Sequence, residues 1–176
     1  MSIYYLAYGS NLHPLRLLER IPSSYLVGPV ELTNHQLHFH KRGEDLSGKC
    51  NIIQTHENSD KVYCALYHMD EQHKPILDKI EGPGYTSKHL QVQCNNEIYQ
   101  CFVYVAEDSH IDKNIMPFDW YHTLVHIGAR YHGFPEEYIA NLQNIKTQED
   151  TNLERQSRNQ KLIERMFLLL PGVGDL

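Results

Sequence analysis

The sequence has no long hydrophobic run and no basic leader, and these absences argue against membrane and secreted proteins. No apolar stretch approaches the roughly 20 residues that a membrane-spanning helix needs. The opening residues, Met-Ser-Ile-Tyr-Tyr, lack the positively charged segment that begins a secretory signal. We therefore expect neither a membrane partner nor export from the cell.

Basic residues are also few. Lysine and arginine number 16 against 22 aspartates and glutamates, which gives a net charge of -6. A chain of this sign lacks the positive surface that nucleic-acid binding requires, so we expect no nucleic-acid partner. With 176 residues and 41% hydrophobic content, the chain is long enough for one domain with its own core.

The four cysteines, Cys50, Cys64, Cys94 and Cys101, form no CxxC pair. Three of them lie in strand-like runs beside apolar residues. This placement favours buried, reduced thiols over a disulfide framework, because disulfides are rare in the reducing cytosol. None has the local signature of a catalytic cysteine. We expect a cytoplasmic protein with free thiols.

The order of the predicted elements indicates an α+β fold. Residues 3–8 are apolar and aromatic and predict a buried strand, which a short helix from Pro14 follows. Several strand-like runs come next, interrupted by a helix over residues 74–80, and the period becomes helical from Phe118 onward. Strands clustered in this way predict a mostly antiparallel, barrel-like sheet with flanking helices.

The last residues form a separate feature. We divide the chain into a domain over residues 1–150 and a C-terminal helix with an apolar end over residues 151–176. Thr151 and Glu154 have the spacing of a capping box for this helix. It ends in Phe167-Leu168-Leu169-Leu170, which cannot all face one side, since successive helical residues turn by about 100°. Either the domain itself or a second subunit covers this end, and we favour a homodimer.

The first candidate for chemistry is the turn from Tyr8 to Leu12, between the first strand and the first helix. Gly9 lets the backbone approach a ligand, and amides that precede a helix can bind an anion. Ser10 and Asn11 add polar side chains. The alternative is an ordinary helix N-cap, because serine and asparagine are favoured caps. No glycine-rich phosphate-binding motif is present, so a nucleotide is a poor candidate.

Glu81 is the second candidate. It ends the predicted helix over residues 74–80, where the helix dipole disfavours negative charge. Its apolar neighbours Ile76, Leu77 and Ile80 would also desolvate it. Both effects raise the pKa of a carboxylate toward the range of a general base. The alternative is an exposed glutamate in a polar corner.

Histidine is abundant, with 12 residues, but its spacing does not favour a metal centre. His38 and His40 share a strand face, and His122 and His126 share a helix face. Neither pair has a carboxylate at the HExxH spacing, so hydrogen-bonded surface histidines are the better interpretation. We expect no metal and no cofactor.

Four segments resemble the gamma-glutamylcyclotransferase family, and they occur in the family's order. The strand and turn over residues 5–12, YLAYGSNL, resemble its signature loop. Residues 77–82, LDKIEG, followed by Tyr85, resemble its catalytic-glutamate segment. Residues 117–128 and then residues 133–138, GFPEEY, resemble its next helix entry and turn. Together the matches cover roughly residues 3–150.

The resemblance implies an α+β fold around a small β-barrel with a cavity at its mouth. It implies cyclisation of a gamma-glutamyl amino acid or dipeptide to 5-oxoproline, with release of the amine and without a metal or cofactor. Glu81 would be the general acid/base. The substrate-binding residues that it implies are Tyr5, Leu6, Ala7, Tyr8, Gly9, Ser10, Asn11, Tyr121 and, with weaker support, Tyr85 and Tyr104.

Two other functions stay open at this point. One is a cyclotransferase for gamma-glutamylamines, because the residues do not identify the leaving amine. The other is a non-catalytic domain of the same fold that binds a small ligand, since a fold alone does not establish a function. Glu81 argues against the second.

Overall fold

The structure, a computed structural model, describes residues 1–171. Within this range the chain forms seven β-strands and five α-helices. The strands are β1 (Ser2–Ala7), β2 (Tyr25–Thr33), β3 (His35–Arg42), β4 (Gly48–Gln54), β5 (Lys61–Asp70), β6 (Tyr85–Cys94) and β7 (Glu97–Ala106). The helices are α1 (Pro14–Arg20), α2 (Lys74–Glu81), α3 (Asp119–Tyr131), α4 (Glu136–Gln143) and α5 (Leu153–Phe167).

Strand β1 lies at the centre of a five-stranded sheet of order β2-β5-β1-β7-β6. It pairs antiparallel with β5 and parallel with β7, which makes the sheet mixed. Its last residues, Tyr5, Leu6 and Ala7, are buried, as expected of a strand covered on both faces. The chain therefore leaves the middle of the sheet at Tyr8, and the predicted turn begins there.

The predicted α+β class is confirmed, but a closed barrel is not. Strands β3 and β4 form a separate two-stranded sheet. The edge strands β2 and β6 approach each other at one end, where the Asn95 amide donates to the Val27 carbonyl at 3.0 Å. The Cys94 thiol lies 3.6 Å from the Pro29 carbonyl oxygen. Within residues 1–171 no ladder pairs β2 with β6, so these contacts bring the two edges together without closing the sheet.

Helix α2 forms where the sequence predicts it. Pro75 lies in its first turn, and Gly82, with φ of 73°, ends it. The Gly82 amide donates to the Asp78 carbonyl at 3.1 Å, which completes the last turn at Glu81. Because only glycine adopts this left-handed φ without strain, the helix stops directly after the glutamate.

Helix α3 packs directly on the turn that follows β1. A Cβ on Gly128 would lie 2.5 Å from the Cβ of Leu12, so only glycine permits this approach. The Leu12 carbonyl also accepts hydrogen bonds from Tyr67 at 2.6 Å and from the His132 ring at 2.7 Å. These contacts fix the end of the turn between the sheet and α3.

The capping box predicted at Thr151 is wrong. Asn152 caps α5 instead, with its side-chain oxygen accepting from the Arg155 amide at 2.9 Å. The reason is the buried Asp150 carboxylate, which accepts two bonds of 2.6 Å from Arg155 and one of 2.7 Å from the Trp120 indole. This cluster fixes where the chain enters α5 and ties the helix to α3.

All four cysteines are buried and unpaired in the described chain. Up to residue 171 there is no helix with the length and apolarity needed to cross a bilayer. The final residues 172–176 of the predicted apolar end lie outside the described residues.

The end of α5 leaves an apolar patch. Leu170 is only 7% exposed and packs on the domain, whereas Phe167, Leu168 and Leu169 are 51%, 70% and 53% exposed. Adjacent apolar side chains that are exposed are typical of an interface, so we continue to predict a homodimer.

We expect the protein to sediment as a dimer at tens of micromolar, and the L168E/L169E variant to sediment as a monomer with an unchanged Tm. A monomeric wild type would contradict the dimer.

Candidate active site

A narrow cavity lies where the turn after β1 meets the ends of α2 and α3. Its volume is about 20 Å³, in the range of a single ordered water molecule. The residues that line it are Tyr5, Tyr8, Gly9, Ser10, Asn11, Cys50, Glu81, Tyr85, Tyr104 and Tyr121. Except for Cys50, every one of these was singled out from the sequence. Leu6 and Ala7 were also singled out, but their side chains are fully buried in the core and do not line the cavity.

Glu81 is held in this cavity by its position at the end of α2. Its side chain is 17% exposed, and Oε1 accepts a hydrogen bond of 2.8 Å from the Asn11 amide. The Arg20 guanidinium lies 3.9 Å from the same oxygen. Burial raises the pKa of Glu81 above its ordinary value, although Arg20, Asn11, Arg16 and Lys41 act in the opposite direction. Desolvation is thus the dominant effect on this carboxyl group.

Asn11 joins three other side chains and does not cap a helix. Its amide nitrogen donates to Glu81 and also to the Tyr5 hydroxyl at 3.2 Å, while its oxygen accepts from Arg20 at 2.8 Å. The N-cap of α1 is His13, whose ring nitrogen accepts from the Leu15 amide at 3.1 Å. The alternative of Ser10 or Asn11 as a simple helix cap is therefore wrong.

Gly9 is required by a close approach. A Cβ there would lie 2.9 Å from the Cβ of Cys50 and 3.4 Å from the Tyr121 hydroxyl. A side chain at this position would push β4 away from the turn. In the described part of the chain, the next two amides, of Ser10 and Asn11, donate to no other residue. They are free donors beside the cavity, as an anion-binding turn requires.

Two tyrosines fix the backbone of Cys50. The Tyr85 hydroxyl donates to the Cys50 carbonyl at 2.5 Å, and the Cys50 amide donates to the Tyr121 hydroxyl at 3.0 Å. Burial raises the pKa of the Cys50 thiol to about 12. Near neutral pH this cysteine is therefore a protonated thiol and a poor nucleophile.

Tyr8 and Tyr104 form a second pair. The Tyr8 hydroxyl donates to the Tyr104 carbonyl at 2.5 Å, and the Tyr104 hydroxyl donates to Asp78 at 2.5 Å. Asp78 lies one turn before Glu81 on α2 and also accepts from Lys74 at 2.7 Å. Burial raises the pKa of both phenols well above the ordinary tyrosine value, so they remain neutral.

Three charged residues of this region were missed from the sequence: Arg16, Arg20 and Lys41. Arg16 and Arg20 lie four residues apart on α1 and so share one face, which is a signal that could have found them. Lys41 lies on β3, and nothing in the sequence around it indicates a site. All three act on Glu81 through space, and such contacts between distant segments do not appear in local patterns.

The histidine pairs lie away from this cavity. The rings of His38 and His40 stack at 4.9 Å, and those of His122 and His126 stack at 6.4 Å. His122 bonds to the Leu142 carbonyl at 2.8 Å. Across residues 1–171, no three histidine, cysteine or acidic side chains come together in a way that would hold a metal ion.

Comparisons with known proteins point to one family. A model of the AIG2-like family matches residues 61–142. The gamma-glutamylcyclotransferase of Bos taurus is 26% identical over 160 residues, which cover 82% of this chain and 79% of the bovine protein. These findings confirm the resemblance to the gamma-glutamylcyclotransferase family.

Solved structures agree on the fold. A structure described as a gamma-glutamyl cyclotransferase superposes with a TM-score of 0.77 at 23% identity, covering 92% of this chain and 99% of that one. An uncharacterized protein from Homo sapiens superposes with a TM-score of 0.78 at 24% identity, covering 93% and 98%. The architecture described above is therefore shared over nearly the whole length of both proteins.

The raised pKa of Glu81 predicts a pH-dependent stability effect. A carboxyl group whose pKa is higher in the folded than in the unfolded state loses stabilising effect as the pH rises from its ordinary value, 4.5, through the folded value. We expect E81Q to have a higher Tm than the wild type at pH 8, with the difference vanishing toward pH 4. Thermal unfolding across this range measures it, with E57Q, in an exposed turn, as the control. A lower Tm for E81Q at pH 8 would show that pairing with Arg20 outweighs desolvation.

Proposed function

We propose that this chain is a gamma-glutamylcyclotransferase that cyclises a gamma-glutamyl amino acid or dipeptide to 5-oxoproline and releases the amine. The observation that carries the proposal is Glu81, a carboxyl group with a raised pKa held in a cavity by Asn11. The resemblance to the gamma-glutamylcyclotransferase family supports the choice of reaction.

The nucleophile in this reaction is the substrate's own α-amine. Its nitrogen bonds to the γ-carbonyl carbon, and the bond from that carbon to the leaving amine breaks. No enzyme nucleophile is needed, which agrees with the buried, protonated thiol of Cys50. The rate depends chiefly on holding the substrate folded, because well-oriented intramolecular attack reaches effective molarities of roughly 10⁵–10⁸ M.

The turn after β1 is suited to the glutamyl head group. The free amides of Ser10 and Asn11 are donors for the α-carboxylate, and Arg20 adds positive charge nearby. The cavity is narrow, and tyrosine side chains form much of its wall.

Glu81 moves the protons. Its carboxylate takes a proton from the attacking α-amine, and the resulting carboxylic acid gives that proton to the departing amine. One group can do both because burial brings its pKa closer to the operating pH. The reaction as written requires no metal ion, and we propose that the enzyme is metal-independent.

The test is the E81Q variant on a gamma-glutamyl dipeptide, with 5-oxoproline as the measured product. Glutamine keeps the size and a hydrogen-bond acceptor for Asn11 but cannot shuttle a proton. We expect kcat to fall by at least about 10², while 5-oxoproline still binds in calorimetry. The wild type should keep its activity after dialysis against a strong chelator, and E57Q should match the wild type.

Two results would contradict this assignment. Near-full activity of E81Q would remove Glu81 from the chemistry. Loss of wild-type activity on chelation, with recovery on adding zinc, would require a metal ion and return attention to His38 and His40.

A further inference from the structure

Lys41 is a nearly completely buried lysine beside the candidate site. It lies in β3 and is 2% exposed, although lysines are almost never fully buried unless they are paired. The ladder between β3 and β4 shifts register between His38 and Lys41. Regular pairing between β3 and β4 is therefore interrupted next to Lys41.

The Lys41 ammonium contacts the turn that follows Glu81. Its Nζ donates to the Pro83 carbonyl at 2.8 Å and lies 4.5 Å from the centre of the Tyr85 ring. Pro83 is flanked by Gly82 and Gly84, both with positive φ. This turn carries the chain from Glu81 at the end of α2 to Tyr85 at the start of β6, and both of these side chains line the cavity.

The charges around Lys41 are mostly negative. Burial lowers the pKa of the Lys41 ammonium, and Glu81, Glu44, Asp45 and Glu107 act in the opposite direction, Glu81 most strongly. Lys49 is a like charge that interacts with Lys41. Glu81 itself faces three cations, Arg16, Arg20 and Lys41, together with the neutral Asn11. Phenols and a thiol complete its surroundings, namely Tyr5, Tyr8, Tyr85, Tyr104, Tyr121 and Cys50.

We propose that Lys41 is a positioning residue for the reaction at Glu81: its ammonium fixes the Pro83 carbonyl and the Tyr85 ring, and with them the turn that sets both side chains in the cavity. The proposal rests on the proposed cyclotransferase function. A second consequence is electrostatic. The charge of Lys41 favours the ionised form of Glu81. A larger fraction of the protein therefore carries Glu81 as a carboxylate base at lower pH.

Three substitutions separate the contact from the charge. K41M removes both, K41Q keeps a donor for the Pro83 carbonyl without the charge, and K41R keeps the charge. Removing a buried cation leaves its partners uncompensated and lowers stability, so the Tm of each variant establishes that it folds before its pH profile is compared. K88M, at an exposed position of β6, is the matched control.

The readout is the pH profile of kcat/KM for 5-oxoproline release. We expect the acidic limb to move upward by about one pH unit in K41M and K41Q and to stay in place in K41R and K88M. The plateau kcat should fall about tenfold in K41M and less in K41Q, since the latter retains the hydrogen bond. An unmoved limb in both neutral variants, or a uniform loss at every pH, would overturn the proposal.

A second measurement does not depend on activity. E81Q is introduced into the wild type and into K41M, and the gain in Tm that it causes is measured against pH in each background. The pH at which this gain reaches its maximum should be higher in K41M. An identical pH in the two backgrounds would overturn the proposal even if K41M is less active. If the wild type releases no 5-oxoproline at all, the proposed function fails, and this titration still decides whether Lys41 acts on Glu81.

Discussion

The burial of one carboxyl group, that of Glu81, is the constraint on which the rest of the site depends. A charge in this position is costly twice, because it is removed from water and because it lies at the carboxyl end of a helix. The structure offsets the cost with the Asn11 hydrogen bond and with the cations Arg20, Arg16 and Lys41, yet burial still raises the pKa. A fully compensated carboxylate would be more stable but a poorer base near neutral pH.

Because those compensating groups come from distant segments, the site links most of the fold. Arg16 donates to Asn159 of α5 at 3.3 Å, and Asn159 in turn donates to the Arg155 carbonyl at 2.8 Å. Arg155 is bound to Asp150, which also accepts from Trp120 of α3. The C-terminal helix thus holds a cation near Glu81, although it lies outside the segments that resemble the family. Lys41 connects the two-stranded sheet to the turn after Glu81 through its hydrogen bond to the Pro83 carbonyl.

How much of this can be predicted from the sequence depends on the range of each interaction. Local rules of period, capping and glycine conformation predict the buried strand, the turn at Gly9 and the helix that ends at Gly82, and the structure has all three. The cap of α5 was misassigned because the Asp150 cluster, which forms only in the folded protein, determines it. Lys41 was missed for the same reason, since neighbouring residues do not show what its charge faces. The predicted barrel is not confirmed, because strand order alone does not show whether the edges of a sheet pair.

In the proposed reaction the substrate's own amine, and no water molecule, attacks the γ-carbonyl. The most direct measurement is to incubate the wild-type protein with γ-glutamyl-L-alanine in ¹⁸O-labelled water and analyse the products by mass spectrometry. We expect 5-oxoproline and alanine in equal amounts, with no ¹⁸O in the 5-oxoproline. Glutamate carrying ¹⁸O in its γ-carboxylate would show hydrolysis, and an unchanged substrate would show no cyclotransferase activity; either result would contradict the proposed function.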